Sequence, residues 1–376
     1  MNRMWIVAAL LLATPALWLF GPTQAVAPVP PRVAGWFGPD PATATTGQVA
    51  AYFAALPRPA TDDLVRRYPA VVGNLDGVPA GLRYAANRDP AQPERQYLVA
   101  DRHGDGRVVE VLGDLGTARR VTILIPGVDT NRANFDTGLG GVVRRAPAWQ
   151  ARRLHAEISA LRPGAPVAVI AWLGYDTPEG VRRDALREDR AATGALALRR
   201  FVAGLLQDRP QLEITLVGHS YGSIVAAHAA AELPAQVTDI VAIGSPGMGV
   251  PDRAALRTGA RVWAGSAPDD WTRRLPGVRL LGVGHGRLPI DPAFGALRLP
   301  CADVAGHDGY FLRGTSSLRA MAHLSLPSTP PAASTSAASG TATDPAASGT
   351  ATDPADSGTA TDPAVAGLAS GPGSVL

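Results

Sequence analysis

The amino-acid sequence predicts an α/β fold in which a mostly parallel central sheet is covered by helices on both faces. Apolar, β-branched runs typical of buried strands alternate with helical stretches through the middle of the chain, which is the pattern of parallel sheets. Two runs near the start, at 96–100 and 107–112, flank the turn His103-Gly104-Asp105-Gly106 and predict an antiparallel hairpin. The chain has 376 residues, 46% of them hydrophobic, which is enough for one large core.

The predicted elements follow in order along the chain. Short helices are expected ahead of the sheet, at 46–56 and 60–68. Eight strands are then expected, at 96–100, 107–112, 120–125, 167–172, 213–217, 239–243, 260–264 and 278–283. Helices are expected between the later strands, at 146–161, 183–206, 221–232 and 251–258.

The most informative residues are Gly218-His219-Ser220-Tyr221-Gly222, which lie between the strand-like run 213–217 and an alanine-rich helical stretch. Strand, G-x-S-x-G and helix in this order form the nucleophile elbow of α/β-hydrolases. The serine of such a turn has a strained backbone that exposes its Oγ. A Cβ at position 218 or 222 would collide with the neighbouring strand or helix, which explains both glycines. His219 is expected to point away from Ser220.

A serine hydroxyl needs a base to take its proton and an acid to orient that base. In α/β-hydrolases the acid follows the serine along the chain. The loop after the predicted strand 260–264 carries Asp269 and Asp270. We expect Asp270 to be the acid, with Asp269 as the alternative. Asp252 and Asp291 are weaker candidates, because the first comes one strand too early and the second lies in a proline-bounded loop.

The base is expected near the end of the domain, after the acid. His307 lies in a loop that precedes the last predicted helix, where this chain order requires the base. His285, in a glycine-rich loop shortly after Asp270, is the reserve candidate.

An oxyanion that forms during acyl transfer needs two backbone N–H donors. One is expected from Tyr221, the residue after the serine. The other is expected from Val128 or Asp129, in the loop after the strand 120–125, where Gly127 allows the chain to approach closely.

Several stretches together resemble an uncharacterised α/β-hydrolase family, a former domain of unknown function, found mainly in high-GC Gram-positive bacteria. The resemblance covers roughly residues 65–320 and includes Trp172-Leu173-Gly174-Tyr175-Asp176-Thr177-Pro178 and the elbow. The other matching stretches are 69–79, 86–88, 125–128 and 306–311. The resemblance implies a hydrolase in which the serine, the late aspartate and the late histidine form a triad.

Three side chains follow a central strand at its carboxyl end, where α/β proteins bind ligands. They are Trp172, Tyr175 and Asp176, which are therefore candidates for the pocket. The alternative is that Trp172 belongs to the core and Tyr175 packs the loop.

The ends of the chain differ in composition from the domain at 46–326. Residues 1–27 contain a basic start and an apolar run, which indicate a signal peptide or an uncleaved membrane anchor. Residues 28–45 are rich in proline and glycine and are expected to be a linker. Residues 327–376 contain a nine-residue Ser/Thr/Ala/Pro-rich repeat and are expected to be a disordered tail.

Together these features predict a secreted or extracytoplasmic, envelope-associated serine hydrolase. Its expected partners are a small-molecule or lipid ester and, through the N-terminus, a membrane. No metal or organic cofactor is needed for this chemistry. Nucleic acid is not an expected partner, because the 35 basic residues are scattered among 32 acidic ones.

Three other functions remain open. A peptidase or amidase is one, although the stretch between 243 and 260 is too short for an inserted cap domain. An acyltransferase would use the same residues. A non-catalytic envelope binding protein would keep the fold alone.

Overall fold

The computed structural model describes residues 33–180 and 184–327. The predicted signal or anchor, the first part of the predicted linker and nearly all of the predicted tail lie outside these residues. Within them, no helix is both long enough and apolar enough to cross a bilayer.

An eight-stranded sheet forms the centre of the domain, in the order β1-β2-β4-β3-β5-β6-β7-β8. β1, β2 and β4 pair antiparallel, and every pairing from β4 to β8 is parallel. The predicted antiparallel start and parallel remainder are therefore confirmed. The strands are β1 (Gln96–Asp101), β2 (Arg107–Gly113), β3 (Arg120–Ile125), β4 (Val167–Leu173), β5 (Glu213–His219), β6 (Val237–Ile243), β7 (Arg261–Gly265) and β8 (Leu297–Arg298).

Eight α-helices are found in the described residues. They are α1 (Thr46–Ala54), α2 (Arg58–Arg67), α3 (Pro69–Val72), α4 (Ala80–Ala86), α5 (Pro147–Leu161), α6 (Asp189–Asp208), α7 (Gly222–Ala229) and α8 (Ser316–Leu324).

Helices cover both faces of the sheet, as predicted. On one face α6 and α7 bury apolar side chains such as Phe201 and Ile224. On the other face α5 and α8 bury Leu154 and Met321. Because β3 is buried along its whole length, both layers share a continuous strand core.

The first four helices form a smaller apolar cluster beside the sheet edge. Phe53 and Leu64 are among its buried side chains. Residues 33–45, which we expected to belong to a linker, contribute to this cluster. The ring of Trp36 packs edge-on against Tyr68, whose hydroxyl donates to the Gly35 carbonyl at 2.6 Å. Aromatic packing thus orders a stretch whose composition alone suggested an extended connection.

The predicted strand at 278–283 is wrong. Leu280 and Val283 form only an isolated antiparallel bridge, and the eighth strand is Leu297–Arg298. Leu281 has a left-handed φ of 51°, and Leu280 and Leu281 are more than two-thirds exposed. The segment therefore turns at the surface, where an apolar run has no neighbouring strand to pair with.

Two predicted helices are also corrected. The helix expected at 251–258 is a 3-10 turn, Ala254–Leu256, which ends at Arg257 in the left-handed region. The helix expected at 183–206 begins only at Asp189, after a 3-10 turn at Asp184–Leu186.

Candidate active site

Ser220 lies at the carboxyl end of β5, in the turn that leads into α7. Its φ of 54° is in the left-handed region, which a serine occupies only under strain. A Cβ on Gly218 would lie 2.5 Å from the Cα of Ser223, and one on Gly222 would lie 2.2 Å from the Ile125 carbonyl oxygen. Both approaches are too close for any side chain, so only glycine permits this turn.

Two buried serines support the turn from below. The Ser223 hydroxyl donates to the Ser220 carbonyl at 2.6 Å and lies 2.7 Å from Ser245 Oγ. Ser245 donates in turn to the carbonyl of Gly247 at 2.9 Å. These bonds fix the backbone of Ser220 while its Oγ faces a cavity that His307 also lines.

His307 is oriented by Asp270. Its Nδ1 lies 2.9 and 3.0 Å from the two carboxylate oxygens of Asp270, which can only accept. The ring proton is therefore on Nδ1, and Nε2 has the lone pair that a general base needs. Within the described residues Ser220 Oγ and His307 do not hydrogen-bond, and such contacts often tighten only when substrate is bound.

Asp270 is buried and fully hydrogen-bonded. Burial by itself would raise its pKa, but the hydrogen bond from His307 and the favourable electrostatic interaction with that ring outweigh this effect. The hydroxyl of Tyr310 at 2.5 Å and the N–H of Thr272 at 2.9 Å also stabilise the charged form. The pKa of Asp270 is thus held well below its usual range, and the carboxylate stays ionised.

The other candidate acids have different contacts. Asp269 accepts a hydrogen bond from the N–H of Gly306 at 2.7 Å, so it holds the loop that carries His307 without contacting the ring. Asp252 and Asp291 accept from nearby backbone N–H groups at Ala255 and Ala293, as turn-capping residues do.

The reserve base, His285, is buried away from the Ser220 cavity. Its Nε2 donates to the carbonyl of Ala185 at 2.6 Å, and its Nδ1 lies 3.6 Å from Glu188. Among the histidines of the described residues, His307 is the one that both contacts Asp270 and lines the Ser220 cavity.

The sequence did not reveal that His219 contacts His307. We expected it to point away from Ser220, but its ring packs on that of His307, with centroids 4.7 Å apart. Its Nε2–H donates to the His307 carbonyl at 2.8 Å. Burial, together with the electrostatic interaction with the neighbouring His307 ring, lowers the pKa of His219 to about 4 and keeps it neutral.

The loop after β3 lies directly against the elbow. A Cβ on Gly127 would be 2.9 Å from the Cβ of Ser220, so glycine is required for this approach. Among the described residues, no hydrogen-bond partner uses the N–H of Val128 or Tyr221. The N–H of Asp129 is not available, because it donates to the Pro178 carbonyl at 2.8 Å. Of the two expected loop donors, the geometry therefore favours Val128.

The expectation that Trp172 and Tyr175 line the pocket is wrong. Both are only 1% exposed and stack with ring centroids 5.9 Å apart in the core. The Tyr175 hydroxyl donates to the Pro126 carbonyl at 2.8 Å. Asp176 forms an ion pair with Arg190 and is not among the residues that line the cavity.

The segment after β4 therefore holds the loop after β3 through hydrogen bonds. Besides Tyr175, the Thr177 hydroxyl donates to the Thr130 carbonyl at 2.8 Å. The Gly180 N–H donates to the Asp129 carboxylate at 2.6 Å. These contacts fix the position of the Val128 N–H relative to Ser220.

The cavity over Ser220 has a volume of about 550 Å³. This is within the usual range for small-molecule sites. Apolar surface comes from Val128, Leu139 and Trp271, whose ring is 5.1 Å from that of His307. An ion pair between Arg145 and Asp308, 2.7 Å apart, supplies a polar part of the wall. In the described residues no group of acidic, histidine or cysteine side chains is arranged to hold a metal ion.

Comparison with known proteins agrees with this architecture. Residues 101–280 match the model of an α/β hydrolase family. The uncharacterised protein Rv0963c of Mycobacterium tuberculosis is 32% identical over 235 residues, which are 56% of this chain and 85% of that protein. The chain belongs to this α/β hydrolase family.

A longer mycobacterial relative in this hydrolase family is matched only in part. Rv2079 of Mycobacterium tuberculosis, also uncharacterised, is 30% identical over 290 residues, which are 67% of this chain. The chain spans 42% of the length of that relative.

Solved structures similar to this chain include the serine hydrolase XC6422 from Xanthomonas campestris, described as lacking a lid. It is 16% identical, with a TM-score of 0.39, and the match covers 63% of this chain and 97% of that one. A dienelactone hydrolase from Anabaena variabilis is 18% identical, with a TM-score of 0.36, and the match covers 61% and 94% of the two chains.

Proposed function

We propose that this α/β hydrolase cleaves carboxylic esters through a Ser220–His307–Asp270 triad. The observation that carries the proposal is the orientation of His307. Asp270 holds the proton on Nδ1, so that Nε2 faces the Ser220 cavity as a base.

In the proposed reaction Ser220 Oγ attacks the ester carbonyl carbon while His307 Nε2 accepts the hydroxyl proton. The N–H groups of Val128 and Tyr221 donate to the oxyanion. His307 then gives the proton to the departing alcohol oxygen, which leaves an acyl-serine. Water attacks this acyl group in the same way, with His307 as base, and releases the carboxylic acid and free Ser220.

We propose an ester with an apolar acyl chain as the substrate class. The side chains of Leu139, Trp271 and Val128 offer apolar contact beside the proposed nucleophile. A lipid ester fits this surface and also fits the proposed location, which is extracytoplasmic and close to a membrane. Cell fractionation of the full chain, with detection in the envelope or medium, tests that location.

Labelling with a fluorophosphonate tests the nucleophile directly, because this reagent reacts with activated serines. We expect the full chain to be labelled and Ser220→Ala to remain unlabelled. Ser159→Ala is the matched control, since Ser159 lies on the exposed part of α5 and donates only to the His155 carbonyl. A folded parent protein that takes no label would contradict the mechanism. Labelling without release of p-nitrophenol from esters of any chain length would contradict ester hydrolysis alone.

A further inference from the structure

A second cavity of about 480 Å³ lies between the N-terminal helices and the β1–β2 hairpin. One loop separates it from the cavity over Ser220. Residues 126–130 of this loop line the Ser220 cavity, while Arg132 and Phe135 line the second one. The proposed ester hydrolysis gives the second cavity no role.

Three arginines line this cavity: Arg88, Arg102 and Arg132. In the two described ranges, none of them forms an ion pair with a carboxylate. Burial lowers the pKa of Arg132, and the positive charge of Arg102 lowers it further.

Two of the three carboxylates that line the cavity are already in ion pairs. Asp101 pairs with Arg107 at 2.7 Å and with His103 at 2.6 Å. Asp136 pairs with Arg95 at 2.9 Å. The third, Asp89, accepts the Ala91 N–H at 2.9 Å. Asp89 is thus, in the described residues, the one lining carboxylate without an ion pair, and the three unpaired arginines outnumber it, which leaves an excess of positive charge at the cavity.

We propose that this second cavity binds a phosphate-bearing ligand, held by the guanidinium groups of Arg88, Arg102 and Arg132. One guanidinium group can donate two parallel hydrogen bonds to two phosphate oxygens. Several such groups together suit the two negative charges of a phosphate better than the single charge of a carboxylate. The cavity is large enough for a phosphate ester as well as for inorganic phosphate.

Arg132 is held in place by the hairpin turn. Its backbone N–H donates to the Asp105 carbonyl at 2.9 Å. A Cβ on Gly106 would lie only 2.6 Å from the Cβ of Arg132, so the turn packs directly against this side chain. Two residues further on, Asn134 donates to the Asp129 carbonyl at 2.7 Å. The same short turn thus contacts the proposed phosphate site and the loop beside Ser220.

Calorimetric titration of the full chain with inorganic phosphate and with glycerol 3-phosphate tests the proposal. Co-sedimentation with phosphatidylcholine vesicles that contain phosphatidic acid tests a lipid headgroup as the source of the phosphate. The variants are Arg102→Gln, Arg132→Gln and the control Arg144→Gln, an exposed arginine outside this cavity. Thermal melts establish that each variant is folded, and Arg102 is itself exposed, so its substitution is not expected to unfold the protein.

We expect binding that is at least tenfold weaker in the Arg102 and Arg132 variants and unchanged in Arg144→Gln. Binding of the soluble compounds would identify a free phosphate ligand, and binding of vesicles alone, with the same losses, would identify a lipid headgroup. Absence of binding to all three, or equal binding by all variants, would overturn the proposal. The inference does not rest on ester hydrolysis, and Ser220→Ala should bind phosphate as the parent does.

Discussion

Two adjacent aspartates in the loop after β7, Asp269 and Asp270, make different contacts. Asp269 is exposed and holds the backbone at Gly306, whereas Asp270 is buried and holds the ring of His307. Both contacts act on the same loop, but only the second sets the position of the ring proton. The distinction depends on which way each carboxylate points after the strand ends.

The two aspartates should respond very differently to substitution. In Asp270→Asn the amide no longer favours the Nδ1–H tautomer of His307. If the proposed triad operates, we expect ester hydrolysis to fall about 10³–10⁴-fold, as in established serine triads. In the matched variant Asp269→Asn we expect less than a tenfold loss. Steady-state hydrolysis of p-nitrophenyl esters by the folded proteins measures both. Similar losses in the two variants would mean that Asp270 acts only by holding the loop.

His219 should make stability depend on pH. Its folded pKa of about 4 is below the ordinary value of about 6.5, so the unfolded chain binds more protons between these values. The free energy of unfolding is therefore expected to fall as pH drops from about 6.5 to about 4. The full effect is about 1.4 kcal/mol per pH unit, and partial exposure of His219 makes it smaller.

Urea unfolding of the parent and of His219→Asn between pH 4.5 and 7.5 isolates this contribution. Asparagine retains a donor for the His307 carbonyl but does not titrate. We expect the stability of the variant to depend less steeply on pH. Parallel curves would show that His219 is solvated enough to keep an ordinary pKa.

The closeness of Ser220, Asp270 and His307 in the folded chain could be predicted from the sequence. The elbow pattern identifies the serine, and the usual chain order of the family limits the candidates for the other two. The contact between His219 and His307 could not be predicted, since it depends on the path of a loop 88 residues further along the chain. The hydrogen bond that the Asp129 N–H donates could not be predicted either. The Pro178 carbonyl accepts its hydrogen bond, and only the folded chain brings that carbonyl close.

Support of one loop by another is the main feature at the level of elements. The stretch after β4 was expected to line the pocket, because the carboxyl ends of parallel strands usually do. Its aromatic side chains instead turn into the core, and its polar groups hold the loop after β3. A strand-end position predicts closeness to the site, but it does not tell which face of the loop each side chain occupies.

Tyr175→Phe tests this supporting role. The change removes one hydrogen bond and leaves the Pro126 carbonyl unpaired, so we expect a stability loss of about 1–3 kcal/mol. The looser position of the Val128 N–H should lower kcat while KM stays nearly constant, because the proposed oxyanion contact forms in the transition state. Tyr52→Phe is the control, in the separate N-terminal cluster. A changed KM with an unchanged kcat would instead place Tyr175 at the substrate.

The incorrect prediction of a strand at 278–283 shows what a local sequence pattern cannot predict. An apolar run predicts a strand only if a sheet edge is available to pair with it. Here the short β8 pairs with β7, and the earlier run closes on itself through Leu280 and Val283. The choice between these two segments is made by tertiary pairing, which local sequence does not contain.

At the scale of the whole molecule, the amino ends of the parallel strands are joined by a buried ionic network. Arg120 of β3 is 2% exposed and pairs with Glu213 of β5 at 2.6 Å and Asp239 of β6 at 3.2 Å. It also donates to the carbonyl of Leu324, at the end of α8. Arg261 and Trp263 of β7 contact the same Asp239. One guanidinium group thus links three elements of the sheet to the last helix, at the edge opposite Ser220.

Arg120→Met should therefore lower stability without altering the chemistry of the site. Asp239 is fully buried, and loss of one buried partner typically costs about 3–5 kcal/mol because it leaves a charge insufficiently compensated. We expect urea unfolding to show a loss of this size, whereas the neighbouring exposed Arg119→Met should change stability by about 0.5 kcal/mol or less. Fluorophosphonate labelling of the folded fraction should proceed at the parent's rate in both variants, because the elbow and His307 lie at the other edge of the sheet. A stable Arg120→Met protein would mean that the remaining donors, Arg261, Trp263 and Thr238, compensate Asp239. Slowed labelling would mean that strain at the amino edge reaches Ser220 through β5.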